Sequence, residues 1–148
     1  MMQNTEVDRM READVAQIAA IEQSSFADPW SEDAFRAELV NPRAHYLVLR
    51  RGEEVLAYGG FWQVMEEGYI TNIAVRPEAR RQGLGDRLMA HLRQAAQEIG
   101  IRRMTLEVRV SNLPAQRLYE KHGFHSVGKR PGYYPDGEDA YIYWTGEC

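Results

Sequence analysis

Apolar positions along the chain change period several times, and each change marks an element. Val15, Ile18 and Ile21 recur on one side of a helix expected over about residues 13–24. Asp28-Pro29-Trp30-Ser31 then opens a second helix. Ser31 is a good N-cap, Glu32 and Asp33 suit the positive end of the dipole, and Trp30 with Phe35 has hydrophobic-staple spacing. Asn41-Pro42 ends that helix. Strand-like runs follow at 45–50 and 55–64, joined by Arg51-Gly52-Glu53-Glu54 as a hairpin, and a third covers 68–75. Gly59-Gly60 inside the second run marks a bulge or a close backbone approach. Leu84, Leu88, Leu92, Ala95 and Ile99 form the stripe of the longest helix, which Gly100 ends. A strand over 104–110, a short helix over 114–122 and strands over 124–129 and 140–145 complete the order. This is an α/β (α+β) pattern, a mixed sheet with helices packed on it rather than a doubly wound one. One domain is expected over 1–148.

Composition narrows the class. Hydrophobic residues at 44% and charged ones at 27% are ordinary for a soluble globular protein, and no segment has the roughly 20 apolar residues of a membrane span. The polar start carries no apolar signal region, and the only cysteine is the terminal Cys148, so a cytoplasmic protein is expected. A net charge of -4 weighs against nucleic-acid binding and agrees with a cationic acceptor. Histidines 45, 91, 122 and 125 are scattered, with Gly123 breaking the register of the nearest pair, and no metal is expected.

The chemistry concentrates after residue 72. The strand carrying Ile73, Ala74 and Val75 runs into Arg76-Pro77, and then Arg80, Arg81, Gln82, Gly83 and Gly85 open the long helix. A helix start presents unpaired N–H groups and the positive dipole end, glycine lets them touch a phosphate, and arginine adds charge. The pattern suits a diphosphate. It lacks the Gly-Lys-Ser/Thr of a Walker loop, and Leu88 stands where a dinucleotide fingerprint needs glycine. A helix start that is simply rich in arginine and glycine is the plainer alternative. In the strand 104–110, Leu106 and Val108 face one way and Thr105, Glu107 and Arg109 the other. On these residues alone Glu107 suits a solvated strand face, and Tyr119 suits a core position beside Ala115 and Leu118.

Arg80-x-x-Gly83-x-Gly85, following a strand and opening a long amphipathic helix, resembles the pyrophosphate loop of the GNAT acetyltransferases. The resemblance covers essentially the whole chain. It implies that Arg80, Arg81, Gln82, Gly83, Leu84, Gly85 and Asp86 hold acetyl-coenzyme A, and that Ile73, Ala74 and Val75 offer it backbone groups. The next strand should splay away to admit the cofactor. The stretch from Leu106-Glu107-Val108-Arg109-Val110-Ser111-Asn112 to Leu118-Tyr119-Glu120 is similar to the bacterial ribosomal-protein alanine acetyltransferases, the RimI-like group. It implies Glu107 as general base, Tyr119 as general acid and Asn112 as a coenzyme A contact. Phe26-x-x-Pro29-Trp30-Ser31 and Arg130-x-x-Tyr133-Tyr134-Pro135 resemble that group's acceptor loops, with Trp30, Tyr133 and Tyr134 as substrate contacts. Trp30 suits a helix staple equally well. Gly132 departs from the family, which often carries a side chain there.

These residue types fit amine acetylation. An ammonium cannot attack a thioester until it loses a proton, which a glutamate can take when burial raises its basicity. A tyrosine, with a pKa of about 10, is protonated and able to serve the departing thiolate. An α-amine of pKa about 8 needs less help than a lysine of about 10.4. The expected acceptor is therefore the N-terminal alanine of a ribosomal small-subunit protein, met by a monomer or weak dimer that binds neither nucleic acid nor membrane. A small-molecule amine or a lysine is the alternative acceptor, and a non-catalytic acyl-coenzyme A sensor is the alternative class.

Overall fold

Ser31 caps its helix as expected, its Oγ accepting from the Ala34 amide at 3.1 Å, while Trp30 packs on Phe35 with ring centroids 5.4 Å apart. That helix is α2 (Glu32–Leu39), preceded by α1 (Val15–Ser25) and followed by α3 (Leu84–Glu98) and α4 (Leu113–Lys121). The strands are β1 (Glu6–Arg9), β2 (Ala44–Arg51), β3 (Glu54–Val64), β4 (Glu67–Val75), β5 (Arg103–Arg109), β6 (Phe124–Arg130) and β7 (Ala140–Thr145). The computed structural model describes residues 5–146, so Cys148 lies outside the described residues.

The strands form one seven-stranded sheet in the order β1-β2-β3-β4-β5-β7-β6. Only β4 and β5 pair in parallel; every other neighbour is antiparallel. Six strands match the sequence expectation, and β1 is an addition. Its Glu-Val-Asp-Arg carries too little apolar alternation to signal a strand, and pairing with β2 holds it instead. An ion pair helps: the buried Arg50 reaches Asp8 at 3.0 Å and Asp14 at 2.6 Å.

Each face of the sheet carries its own core. Leu84, Leu88, Met89, Leu92 and Ala96 of α3 pack on Leu49, Leu56, Phe61, Ile70 and Leu106. On the other face Val15, Ile18 and Ile21 of α1 and Phe35 of α2 pack on Tyr46, Val48, Val55 and Tyr58. The two glycines of β3 serve these two layers separately. A Cβ on Gly59 would lie 2.9 Å from Leu92, and one on Gly60 would lie 2.4 Å from the Tyr46 ring.

β4 changes face at its middle. Phe61 pairs with Ile70 and Gly60 with Asn72, leaving Thr71 as an extra residue, a β-bulge. Ile70 therefore packs with the α3 layer, whereas Ala74 packs with the α1–α2 layer, although both are even-numbered. The same turn of the strand sends the Asn72 side chain toward α1. There its Nδ2 donates to both oxygens of Glu22, at 3.2 and 3.0 Å.

Glu22 is 1% exposed, at the end of the apolar stripe of α1. The Tyr58 hydroxyl donates to it, as does the Trp30 amide at 3.1 Å. Burial pushes its carboxyl above the usual 4.5, outweighing donors that act the other way. In this range the folded state holds a proton that the unfolded state has released, so its contribution is greatest at low pH and is lost as pH rises through the raised value. Relative to Glu22→Gln, which does not titrate, the wild type should gain stability as pH is lowered from 7 toward 4.5. Paired thermal melts across that range test this; parallel pH curves would contradict it.

Candidate active site

β4 and β5 stay together for only three residue pairs, Glu67↔Arg103, Gly68↔Met104 and Tyr69↔Thr105. Beyond Tyr69 they part, and β4 continues through Ile73, Ala74 and Val75 with only β3 beside it. The edge left by β5 keeps backbone groups without a strand partner, at the place where such groups serve a ligand best. The Thr71 bulge lies at the mouth of this slot.

Downstream of the slot, α3 begins without any side-chain cap. Its N-cap is Gly83, left-handed at φ 78°, and Arg81 is also left-handed at φ 66°. A left-handed arginine carries backbone strain, and two such residues in three curl the chain back over the helix start. The amides of Leu84, Gly85 and Asp86 have no intrahelical acceptor. The loop thus presents first-turn N–H groups and the dipole to an anion. Two of the residues expected to hold the cofactor, Arg80 and Asp86, have side chains engaged within the protein. Arg80 lies back along the surface, donating from Nε to the Val75 carbonyl at 3.0 Å and from Nη2 to Ser25 at 3.1 Å. Asp86 is taken by Lys121 at 2.8 Å and His122 at 2.9 Å, with Lys121 foremost in holding its pKa below the carboxylate range. Arg81 and Gln82 are exposed beside the loop.

Asn112 caps α4, its Oδ1 accepting from the Ala115 amide at 3.2 Å, which leaves the Nδ2 side of the amide for a ligand. Gln116 ties the end of β5 to α4 by donating to the Arg109 and Val110 carbonyls, both at 3.0 Å. Tyr119 is 7% exposed, between Phe124 and Tyr143. Burial, with a smaller push from Tyr134, raises its pKa well above the ordinary phenol value. Its hydroxyl makes no hydrogen bond to any described residue.

Glu107 lies on the opposite face of β5 from the core residues Leu106 and Val108. Its side chain is 10% exposed and accepts from the Tyr69 hydroxyl at 2.5 Å and from Arg130 Nε at 3.3 Å. Tyr69 was not singled out from the sequence. Its signal is register, because it forms the last β4–β5 pair and shares a face with Glu107. Burial, and then the Glu107 and Tyr133 contacts, push the Tyr69 hydroxyl far above its usual pKa, so it stays a donor. Tyr133 is 44% exposed and meets Tyr134 edge-on at 5.0 Å. Burial pushes Tyr134 up to about 12, against the pull of Arg109. Gly132 before them is left-handed at φ 61°, donating its amide to Asp139 at 2.8 Å. The turn itself calls for glycine there. Glu107, Tyr69, Tyr133 and Tyr134 are thus brought together, with Tyr119 sharing no hydrogen bond with Glu107. Trp30 packs on Phe35 and is held by Glu22, the staple geometry.

A family model described as "Acetyltransferase (GNAT) family" matches residues 15–124, which takes in the slot, the α3 loop, Glu107 and Tyr119. The chain belongs to the GNAT acetyltransferases. It is an acetyl-transferring enzyme, and its co-substrate is acetyl-coenzyme A. This GNAT enzyme is 48% identical over 141 residues to a Bacillus subtilis protein provisionally named [ribosomal protein bS18]-alanine N-acetyltransferase, covering 94% of the chain and 93% of the relative. It is 39% identical over 125 residues to the Escherichia coli K12 [ribosomal protein bS18]-alanine N-acetyltransferase, covering 82% and 84%. The crystal structure of the Escherichia coli ribosomal-protein-S18-alanine N-acetyltransferase superposes with a TM-score of 0.88 at 35% identity, over 96% of this chain and 93% of that one. No described helix is long and apolar enough to cross a membrane, and among the described residues no group of three or more His, Cys, Asp or Glu side chains is placed to hold a metal ion.

Proposed function

We propose that this GNAT enzyme acetylates the N-terminal alanine of ribosomal protein bS18 in the cytoplasm, by direct attack of the α-amine on acetyl-coenzyme A. The observation that carries the reading is the nearly buried Glu107 carboxylate, held by Tyr69 where β4 and β5 part. The acceptor enters between the 26–31 and 131–139 loops, with Trp30, Tyr133 and Tyr134 in its walls. Its ammonium gives a proton to Glu107, directly or through water. The freed nitrogen attacks the thioester carbonyl, a C–N bond forms, and the C–S bond then breaks. Tyr119 supplies the proton that converts the leaving thiolate to the coenzyme A thiol, and the second proton shed by the nitrogen as the amide forms restores the Tyr119 hydroxyl, directly or through water.

Acetyl-coenzyme A is held on the other side of the slot, its pyrophosphate at the Gly83–Asp86 helix start and its pantetheine along Ile73–Val75. Arg81 and Gln82 flank the phosphates, Arg80 braces the loop from behind, and Asp86 contributes its amide. The relatives' names support bS18 as the acceptor.

A peptide of the bS18 N-terminus, the same peptide blocked at its α-amine, and a spermidine control should be incubated with enzyme and acetyl-coenzyme A. Mass spectrometry should find a single acetyl group on the free peptide's α-amine. Acetylation of spermidine or a lysine side chain, with none on the α-amine, would replace the acceptor.

A further inference from the structure

Arg109 is two residues beyond Glu107 on the same face of β5, and the proposed mechanism gives it no task. It is 19% exposed and touches both acceptor loops at once. Nη1 reaches Asp136 at 2.9 Å and Glu138 at 2.8 Å, in the loop between β6 and β7. Nη2 lies 3.5 Å from Asp28, in the loop between α1 and α2. The guanidinium carbon stands 4.1 Å from the centroid of the Tyr134 ring. These two loops are far apart in sequence and belong to different layers of the fold. We infer that Arg109 is a positioning and specificity-determining residue, a clamp that sets the spacing of the two walls between which an extended peptide N-terminus enters.

Three features make the clamp more than a surface ion pair. First, the residue is mostly buried and its fork is shared among carboxylates from both sides, so its geometry is defined by planar contacts that a lysine cannot reproduce. Secondly, the strand beneath it is itself fixed, because Gln116 holds the Arg109 and Val110 carbonyls and Ser111 donates its amide to Glu138 at 2.9 Å. Thirdly, it stacks on a tyrosine of the wall, so loosening the guanidinium also frees the Tyr134 ring. The loops are irregular segments and the strand is rigid, which makes Arg109 the route by which strand order reaches the groove. A groove of fixed width favours a narrow, unbranched main chain. A slack one favours small amines that need no walls.

The inference rests on the peptide reading above, and its test separates the two. Arg109→Met and Arg109→Lys should raise KM for the bS18 peptide about tenfold or more while lowering kcat by less, and leave the dissociation constant of acetyl-coenzyme A within about twofold. The ratio of kcat/KM for peptide over that for spermidine should fall. Asp28→Asn, at a half-exposed position, severs the tie to one wall with little risk to folding; it should raise KM for the peptide by itself and add little to Arg109→Met. Hydrogen exchange supplies a readout free of the acceptor's identity. In Arg109→Met, segments 26–31 and 131–139 should exchange faster together, with segment 80–85 unchanged. Unaltered exchange in either loop would overturn the clamp, as would an unaltered KM for the peptide in both Arg109→Met and Asp28→Asn. Faster exchange in both loops, in an enzyme that acetylates no peptide even as wild type, would keep the clamp and remove the peptide acceptor.

Discussion

Glu107→Gln should lower kcat by roughly 10²- to 10⁴-fold at neutral pH while leaving acetyl-coenzyme A affinity nearly unchanged. The substitution keeps the size of the side chain, and the amide oxygen can still accept from Tyr69. What disappears is the acceptor for a proton. An α-ammonium of pKa about 8 is mostly protonated at pH 7, so the variant must draw on the small neutral fraction already in solution. Its rate should therefore climb with pH up to about 8, recovering part of the deficit, whereas the wild type should depend on pH less steeply there. In the proposed arrangement the cofactor lies at the α3 helix start and the β4 edge, on the other side of the slot from Glu107, which is why its affinity should hold. Steady-state rates from pH 6 to 9, with calorimetric titration of acetyl-coenzyme A, test both halves. Wild-type kcat at pH 7 would remove Glu107 as the base.

The layers of this fold were legible because their residues repeat. The stripes of α1 and α3, the hairpin around Gly52 and the cap at Ser31 rest on local periods and turn chemistry. The α3 loop was legible for a related reason: glycine at a left-handed helix start leaves a visible trace. What stayed hidden depends on register between distant strands. Tyr69 meets Glu107 only because β4 and β5 pair where they do, and nothing in the local sequence of either strand states that pairing. Glu22 was hidden by its own stripe, since a carboxylate beside Ile18 and Ile21 reads as the polar rim of a helix until the Thr71 bulge turns Asn72 toward it. Arg109 read as a neighbour of Glu107 on a solvated face. Its partners lie 27, 29 and 81 residues away in sequence, counting from Asp136, Glu138 and Asp28, and only the folded loops bring them to it. Local chemistry is visible along a chain, whereas the contacts that aim it are written in topology.

Tyr119→Phe should separate chemistry from packing more cleanly than any other change in this enzyme. The ring fills the α3-side core against Phe124 and Tyr143, and phenylalanine keeps that contact. The hydroxyl has no hydrogen-bond partner among the described residues and is not sealed from solvent, so deleting it breaks no internal bond. Stability should stay within about 1 kcal/mol of the wild type or rise. Burial holds the tyrosine protonated through neutral pH, the state in which it can donate. Without it the thiolate departs unprotected, and because a thiol of pKa about 8.5 yields a tolerable leaving group, the loss should be about 10²-fold in kcat, at the lower end for acid–base catalysis. The signature is a slow enzyme with an unchanged or higher Tm and ordinary acetyl-coenzyme A binding. A variant that melts several degrees lower and loses activity in proportion would make Tyr119 a packing residue, and wild-type turnover would remove it as the acid.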